Sequence, residues 1–155
     1  MKTRSILLAV AALFAVVMLC FAADDVNMGT WKLNEAKSKI AAGTTKNHTV
    51  VYAAAGDSVK VTVDGVDAEG KPAHNEWTGK FDGKDYPVTG DAASDSRAYT
   101  RVNDHTLSMI IKKGGKVTSS GRITVSADGK SRTVTTNGTD AKGKKISSTA
   151  VYDKE

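Results

Sequence analysis

One pattern constrains this chain more than any other: side chains alternate between apolar and polar over short runs, and each run ends in a turn. Ser58 to Asp64 reads SVKVTVD, with Val59, Val61 and Val63 on one side and Ser58, Lys60, Thr62 and Asp64 on the other. A period of two belongs to a β-strand with one face buried. Thr106 to Lys112 places Leu107, Met109 and Ile111 together, and Val117 to Ser126 places Val117, Ile123 and Val125 in register. Lys145 to Tyr152 aligns Ile146, Ser148, Ala150 and Tyr152. Ser131 to Asn137 is rich in β-branched residues, which favour a pleated strand. Earlier strands are predicted over Gly29 to Asn34, Lys46 to Ala53, Ala73 to Phe81 and Ser96 to Val102.

The punctuation is equally regular. Asp82-Gly83, Asp104-His105, Asp128-Gly129 and Gly114-Gly115 tolerate hairpin conformations, and Asp67 to Gly70 and Asp140 to Gly143 form longer loops. Helix is scarce. Glu35 to Ala42, with Asn34 as a cap and Gly43 as a stop, predicts a short 3₁₀ or α turn. Pro87 within DYPV marks an edge, a bulge or a rim loop, and Asp91 to Ser96 is expected to form a mobile loop beside it.

Nine or ten short strands joined by short connections predict an all-β chain whose sequence neighbours pair antiparallel. A single antiparallel up-and-down (meander) β-barrel of 8–10 strands satisfies that order and leaves no free edge. A two-sheet sandwich is the alternative, but the long returns of a Greek key are missing.

The first 22 residues stand apart. Lys2 and Arg4 precede an uncharged run from Ile6 to Phe21, and small residues lead into Asp24 and Asp25. A basic start, an apolar stretch of this length and a small-residue end make a signal peptide, cut after Ala22 or Ala23. The run is too short to span a bilayer as a retained anchor, and Leu19 before Cys20 argues against lipoprotein processing. Residues 23–155 then form one domain, expected in the periplasm or secreted, with no transmembrane span after processing and monomeric. Cys20 is the one cysteine of the chain, so the processed protein has none and must be held by its core. Loss of Lys2 and Arg4 lowers the formal charge from +5 to +3. The remaining basic residues are scattered and no aromatic set interleaves with them, so no nucleic acid is expected as a partner.

Catalytic signatures are lacking. His48, His74 and His105 have no metal-ligand spacing, so no metal and no cofactor is expected. No serine sits in a G-x-S-x-G context. Asp64, Asp67 and Glu69 lack the spacing of a calcium loop and read as an exposed hairpin.

Three strings go further than composition: GTWKLNEAKSK from Gly29 to Lys39, VKVTVDGVDAEGKP from Val59 to Pro72, and FDGKDYPVTG from Phe81 to Gly90. The G-x-W of Gly29 and Trp31 resembles the opening of lipocalins and the wider calycin superfamily, and the three strings in order resemble small exported bacterial lipocalin-like proteins of unassigned function. The resemblance implies a barrel across the whole processed chain, with Gly29 and Trp31 at its closed end. It also implies an arginine from the late strands packed on Trp31, for which Arg122 and Arg132 are the candidates. The T-D-Y motif of typical lipocalins is absent. So are the Arg-x-Tyr arrangement of fatty-acid-binding proteins and a late-strand histidine of the kind haem-binding barrels use.

The larger residues with polar handles are Tyr52, Glu76, Trp77, Tyr86, Arg97, Tyr99, Arg101 and Tyr152, and of these Tyr52, Trp77, Tyr86, Arg97, Tyr99 and Arg101 are expected to meet a ligand. Arg97, Tyr99 and Arg101 share one strand face. Turned inward they would meet an acidic ligand; turned outward they would line a wet surface. Glu76 and Trp77 must point oppositely. The function expected is a non-enzymatic binding module that holds a small, partly apolar, hydrophobic or amphipathic molecule in the barrel. Small inward residues (Val, Thr, Ser, Ala) and few aromatics favour an interior with room. Two alternatives are a filled barrel acting as an envelope structural or interaction module, and a barrel-mouth enzyme using Glu76 or a Tyr99–Arg101 pair.

Overall fold

A computed structural model describes residues 25–140 and 142–155. The expected signal peptide and both expected cleavage positions lie outside the described residues. The described chain is all-β apart from one 3₁₀ turn. Ten strands run in order: β1 (Gly29–Leu33), β2 (Lys46–Ala55), β3 (Ser58–Val66), β4 (Pro72–Gly79), β5 (Tyr86–Thr89), β6 (Ser96–Asn103), β7 (Thr106–Lys113), β8 (Lys116–Val125), β9 (Ser131–Thr139) and β10 (Lys145–Lys154). Each pairs antiparallel with its sequence neighbours, and β1 pairs with both β2 and β10, closing a ten-strand meander barrel. The expected fold is the observed one.

Register carries one set of side chains around the interior. Trp31 faces Val50, Tyr52 faces Val61, Val61 faces Trp77, Tyr99 faces Met109, and Tyr152 faces Arg132. Because the side-chain period is two, these pairings keep the same parity inside on every strand. Thr62, Glu76, Arg122 and Asp153 hold the opposite parity and point outward. The valines of β3 illustrate the rule: Val61 and Val63 are buried and Asp64 is exposed.

Strand direction alternates, so the turns gather at two ends. The closed end carries the β2–β3, β4–β5, β6–β7 and β8–β9 connections together with the segment Asp25 to Met28. The open end carries the β1–β2, β3–β4, β5–β6, β7–β8 and β9–β10 connections.

Four local expectations are corrected. The helical turn covers only Glu35–Lys37, capped by the Asn34 side chain, because Lys39 bonds both ways to the Thr149 backbone and pulls the chain extended. A tenth strand, β5, forms around Pro87: Val88 and Thr89 pair with β4, and Tyr86 and Pro87 pair with β6. Val117 is 59% exposed, because a register shift at Thr118 turns it out of the face that holds Ile123 and Val125. The segment from Asp91 to Ser96 is tied down by its own acid. The Asp91 carboxylate accepts from the Ala93 backbone N–H, the Ser94 hydroxyl and Arg97 Nη2, and Ser94 is buried.

Candidate functional site

The closed end is built around Trp31, which has no exposed surface. Its indole Nε1 donates to the Asn27 carbonyl at 2.9 Å, which draws Asp25 to Met28 across the barrel end. Asp25 pairs with Arg101 and accepts from Asn27, and that segment becomes a plug. Burial alone would raise the Asp25 carboxyl, but hydrogen bonds from Asn27 and the nearby Arg101 cation outweigh it and hold the group below the usual carboxylate range.

Nine aromatic residues occur in the chain, and the seven after residue 22 are Trp31, Tyr52, Trp77, Phe81, Tyr86, Tyr99 and Tyr152. Five of them form a continuous cluster. Trp77 stacks on Phe81 with ring centres 6.4 Å apart and meets Tyr99 edge-on at 4.7 Å and Tyr86 edge-on at 5.7 Å; Phe81 also touches Tyr52. Gly79 makes the Tyr86 contact fit, since a Cβ there would fall 2.5 Å from the tyrosine ring. The scarcity of rings was expected to leave the interior open. Instead the rings are concentrated and fill part of the barrel.

Arg132 sits where these rings meet the empty interior. Its guanidinium carbon lies 4.8 Å from the Trp31 ring centre and 4.9 Å from those of Tyr52 and Tyr152. Contacts of this kind stabilise a cation by about 0.5–2 kcal/mol each. Of the two arginines the resemblance offered, Arg132 is the one on Trp31; Arg122 is exposed. Arg132 is only 2% exposed, and its Nε and Nη1 have no hydrogen-bond partner. None of the ion pairs among the described residues includes it.

Above this floor the barrel holds a cavity of about 560 Å³, within the range of small-molecule sites. It is layered. Tyr52, Tyr99, Tyr152 and Arg132 form its floor. Val50, Val61, Val63, Met109, Ile123 and Val134 line an apolar waist. Thr44, Thr45, Thr118, Ser119 and Thr139 make a hydroxyl-rich mouth. Inward positions on β9 and β10 are small, with Thr136, Gly138, Ser148 and Ala150, and that leaves the space unfilled. Burial pushes the Tyr52 and Tyr152 phenols up, so both remain neutral hydroxyls at physiological pH. Tyr152 donates to the Asn47 carbonyl at 3.1 Å.

Arg97 enters the same cavity from β6. It is 8% exposed and pairs through Nη2 with Asp91 at 2.9 Å, while its Nε has no partner. Burial disfavours its charge, but Tyr99 and Asp91 more than offset this and hold its pKa above the ordinary value. Asn75, also buried and lining the cavity, has an unpartnered Oδ1.

The six residues expected to meet a ligand therefore separate. Tyr52, Arg97 and Tyr99 line the cavity. Trp77, Tyr86 and Arg101 do not. Trp77 is sealed in the aromatic cluster, its Nε1 donating to the Arg97 carbonyl at 3.0 Å. Tyr86 donates to Asp82 at the closed end. Arg101 does share its strand face with Arg97 and Tyr99, but it lies lower on β6, over Phe81 and against Asp25. Glu76 points outward to Lys60 at 2.8 Å. Tyr152, also among the large residues with polar handles, does line the cavity; Arg132, Asn75 and Met109 line it too and were not singled out. Strand parity and strand direction together would have found them, since both follow from the meander.

No protein-family model matches the chain, and no curated protein matches it. Among solved structures the chain is similar to EF1p2_mFAP2b bound to DFHBI (11% identity, TM-score 0.45, covering 84% of this chain and 94% of that one). It is also similar to the redesigned beta barrel mFAP1 bound to DFHBI (16%, 0.43, 83% and 95%) and to the redesigned beta barrel b11L5F_LGL (12%, 0.43, 84% and 92%).

Proposed function

We propose that this protein is a non-enzymatic binding module, exported and monomeric, that holds a small, partly apolar molecule inside its barrel. The observation that carries this reading is the layered 560 Å³ cavity, whose apolar waist would otherwise stand against water. The filled-barrel alternative draws no support from an interior with this much space. The residues named for an enzyme do not converge either: Glu76 faces Lys60 outside, and Arg101 is turned to Asp25 away from Tyr99's cavity.

The test combines two measurements. Native mass spectrometry of protein purified from its source is expected to show a small adduct that is lost on denaturation. Nile red, a neutral apolar dye, is expected to bind saturably with a rise in fluorescence. Val134→Trp, which puts an indole into the waist, should abolish both. Absence of any adduct together with no saturable dye binding would overturn the reading in favour of an interaction module.

A further inference from the structure

We infer that the ligand is a monocarboxylate, bound acid-first, with its carboxylate against Arg132 and the Tyr52 and Tyr99 hydroxyls and its apolar body in the waist. This rests on the cavity-binding reading above and adds the charge and orientation of the ligand. The argument is one of charge balance. Four charged residues line the cavity: Asp91, Arg97, Arg132 and Asp140. Asp91 is committed to Arg97, and also holds Ala93 and Ser94. Asp140 stands in the β9–β10 turn, where its carboxylate accepts from the Lys142 and Lys144 backbone N–H groups. Arg132 lies near the opposite end of β9, about 26 Å away at the rise of an extended strand. Among the described residues the floor therefore holds one cation without an anion.

Burying a guanidinium without a counter-charge is costly. Three ring faces lower that cost and seal Nε and Nη1, which leaves Nη2 as the guanidinium nitrogen that a cavity ligand can reach. A carboxylate there would supply the counter-charge and an acceptor for Nη2, and guanidinium binds it better than any neutral group. Tyr52 and Tyr99 are the only other polar side chains of the floor besides Tyr152, whose hydroxyl is already spent on Asn47. The Tyr52 hydroxyl is set between Tyr99 and Arg132, so one phenolic hydrogen of the Tyr52–Tyr99 pair stays available to an anion. The apolar waist begins directly above them with Val50, Val61 and Ile123, so a molecule that satisfies the floor must become apolar at once. A single acid group suits the site, because Arg132 is the one unpaired cation there.

Decanoate and 1-decanol match in length and differ in charge, and isothermal titration calorimetry of both at pH 7 in low salt decides the matter. Decanoate is expected to bind about tenfold or more tighter than the alcohol, the value of a buried charge-assisted contact. Arg132→Met keeps an apolar shaft on Trp31 and should bring the two affinities within about twofold by weakening decanoate alone. Should that variant fail to fold, Tyr52→Phe serves instead; it should weaken decanoate several-fold and leave decanol unchanged. Equal affinity of the wild-type protein for both probes overturns the acid-first inference while leaving the cavity reading intact. A decanoate preference that survives both substitutions overturns the assignment to this floor. No binding of either probe, or of Nile red, removes the cavity reading itself.

Discussion

At the residue scale, Trp31 and Arg132 explain why one end of this barrel is shut. Trp31 is completely buried, ties the plug through Asn27 and is covered by Arg132 and Lys154. Truncating a buried tryptophan to alanine removes about 3–5 kcal/mol. Trp31→Ala should therefore lower the Tm by at least about 10 °C in a domain of this size, as read by calorimetry. An unchanged Tm would show that the plug closes without it. The closing role of Trp31 was implied by the resemblance that the G-x-W of Gly29 and Trp31 and the three longer strings carry together. The role of Arg132 was legible only in part: the resemblance offered it as a cover for the indole and strand parity turns it inward, but the empty space it borders depends on how inward residues stack across strands. Arg101 shows the converse. Its inward face was readable from its alternation with Arg97 and Tyr99, but parity does not report height. Two residues of strand span about 7 Å, and that step takes β6 from Tyr99 on the cavity floor to Arg101 at the closed end.

At the scale of elements, the informative piece is β5 with the loop that follows it. The sequence marked this region by Pro87 and read it as an edge or rim, because four residues around a proline make no measurable alternation. The barrel closes there through only two residue pairs on each side, and the Asp91 carboxylate stiffens the join by holding Ala93, Ser94 and Arg97. Burial would raise this carboxyl, but the Ser94 and Ala93 hydrogen bonds and the Arg97 charge lower it overall. A carboxylate whose pKa is lower in the folded than in the unfolded chain stabilises the fold above its unfolded value, near 3.9, and loses that contribution as pH falls through the folded one. Asp91→Asn should accordingly cost about 1–3 kcal/mol at pH 7. The gap between variant and wild type should close in denaturant titrations as pH falls below about 4. A gap that stays constant from pH 7 to pH 3 would mean that the charge of Asp91 does not hold this loop.

At the scale of the whole molecule, the meander decides where function can sit. Local turns and strict alternation made the barrel readable, since each hairpin needs only its own two strands and Asp-Gly or Gly-Gly between them. The cavity was less readable, because its volume depends on which inward positions stack at one height around ten tilted strands. The seven aromatics of the described residues lie toward one end, and Gly138 and Ser148 lie toward the other. This division also bears on processing. Within the described residues the plug includes Asp25, whose carboxylate holds both Asn27 and Arg101. A cut after Ala22 or Ala23 leaves the plug whole, whereas a cut beyond Met28 would remove it and expose Trp31. Intact-mass measurement of protein recovered from the extracytoplasmic fraction should therefore match residues 23–155 or 24–155. A mass for all 155 residues would mean that the apolar leader is retained as an anchor. A mass beginning after Met28 would mean that the barrel stays closed at that end without the plug.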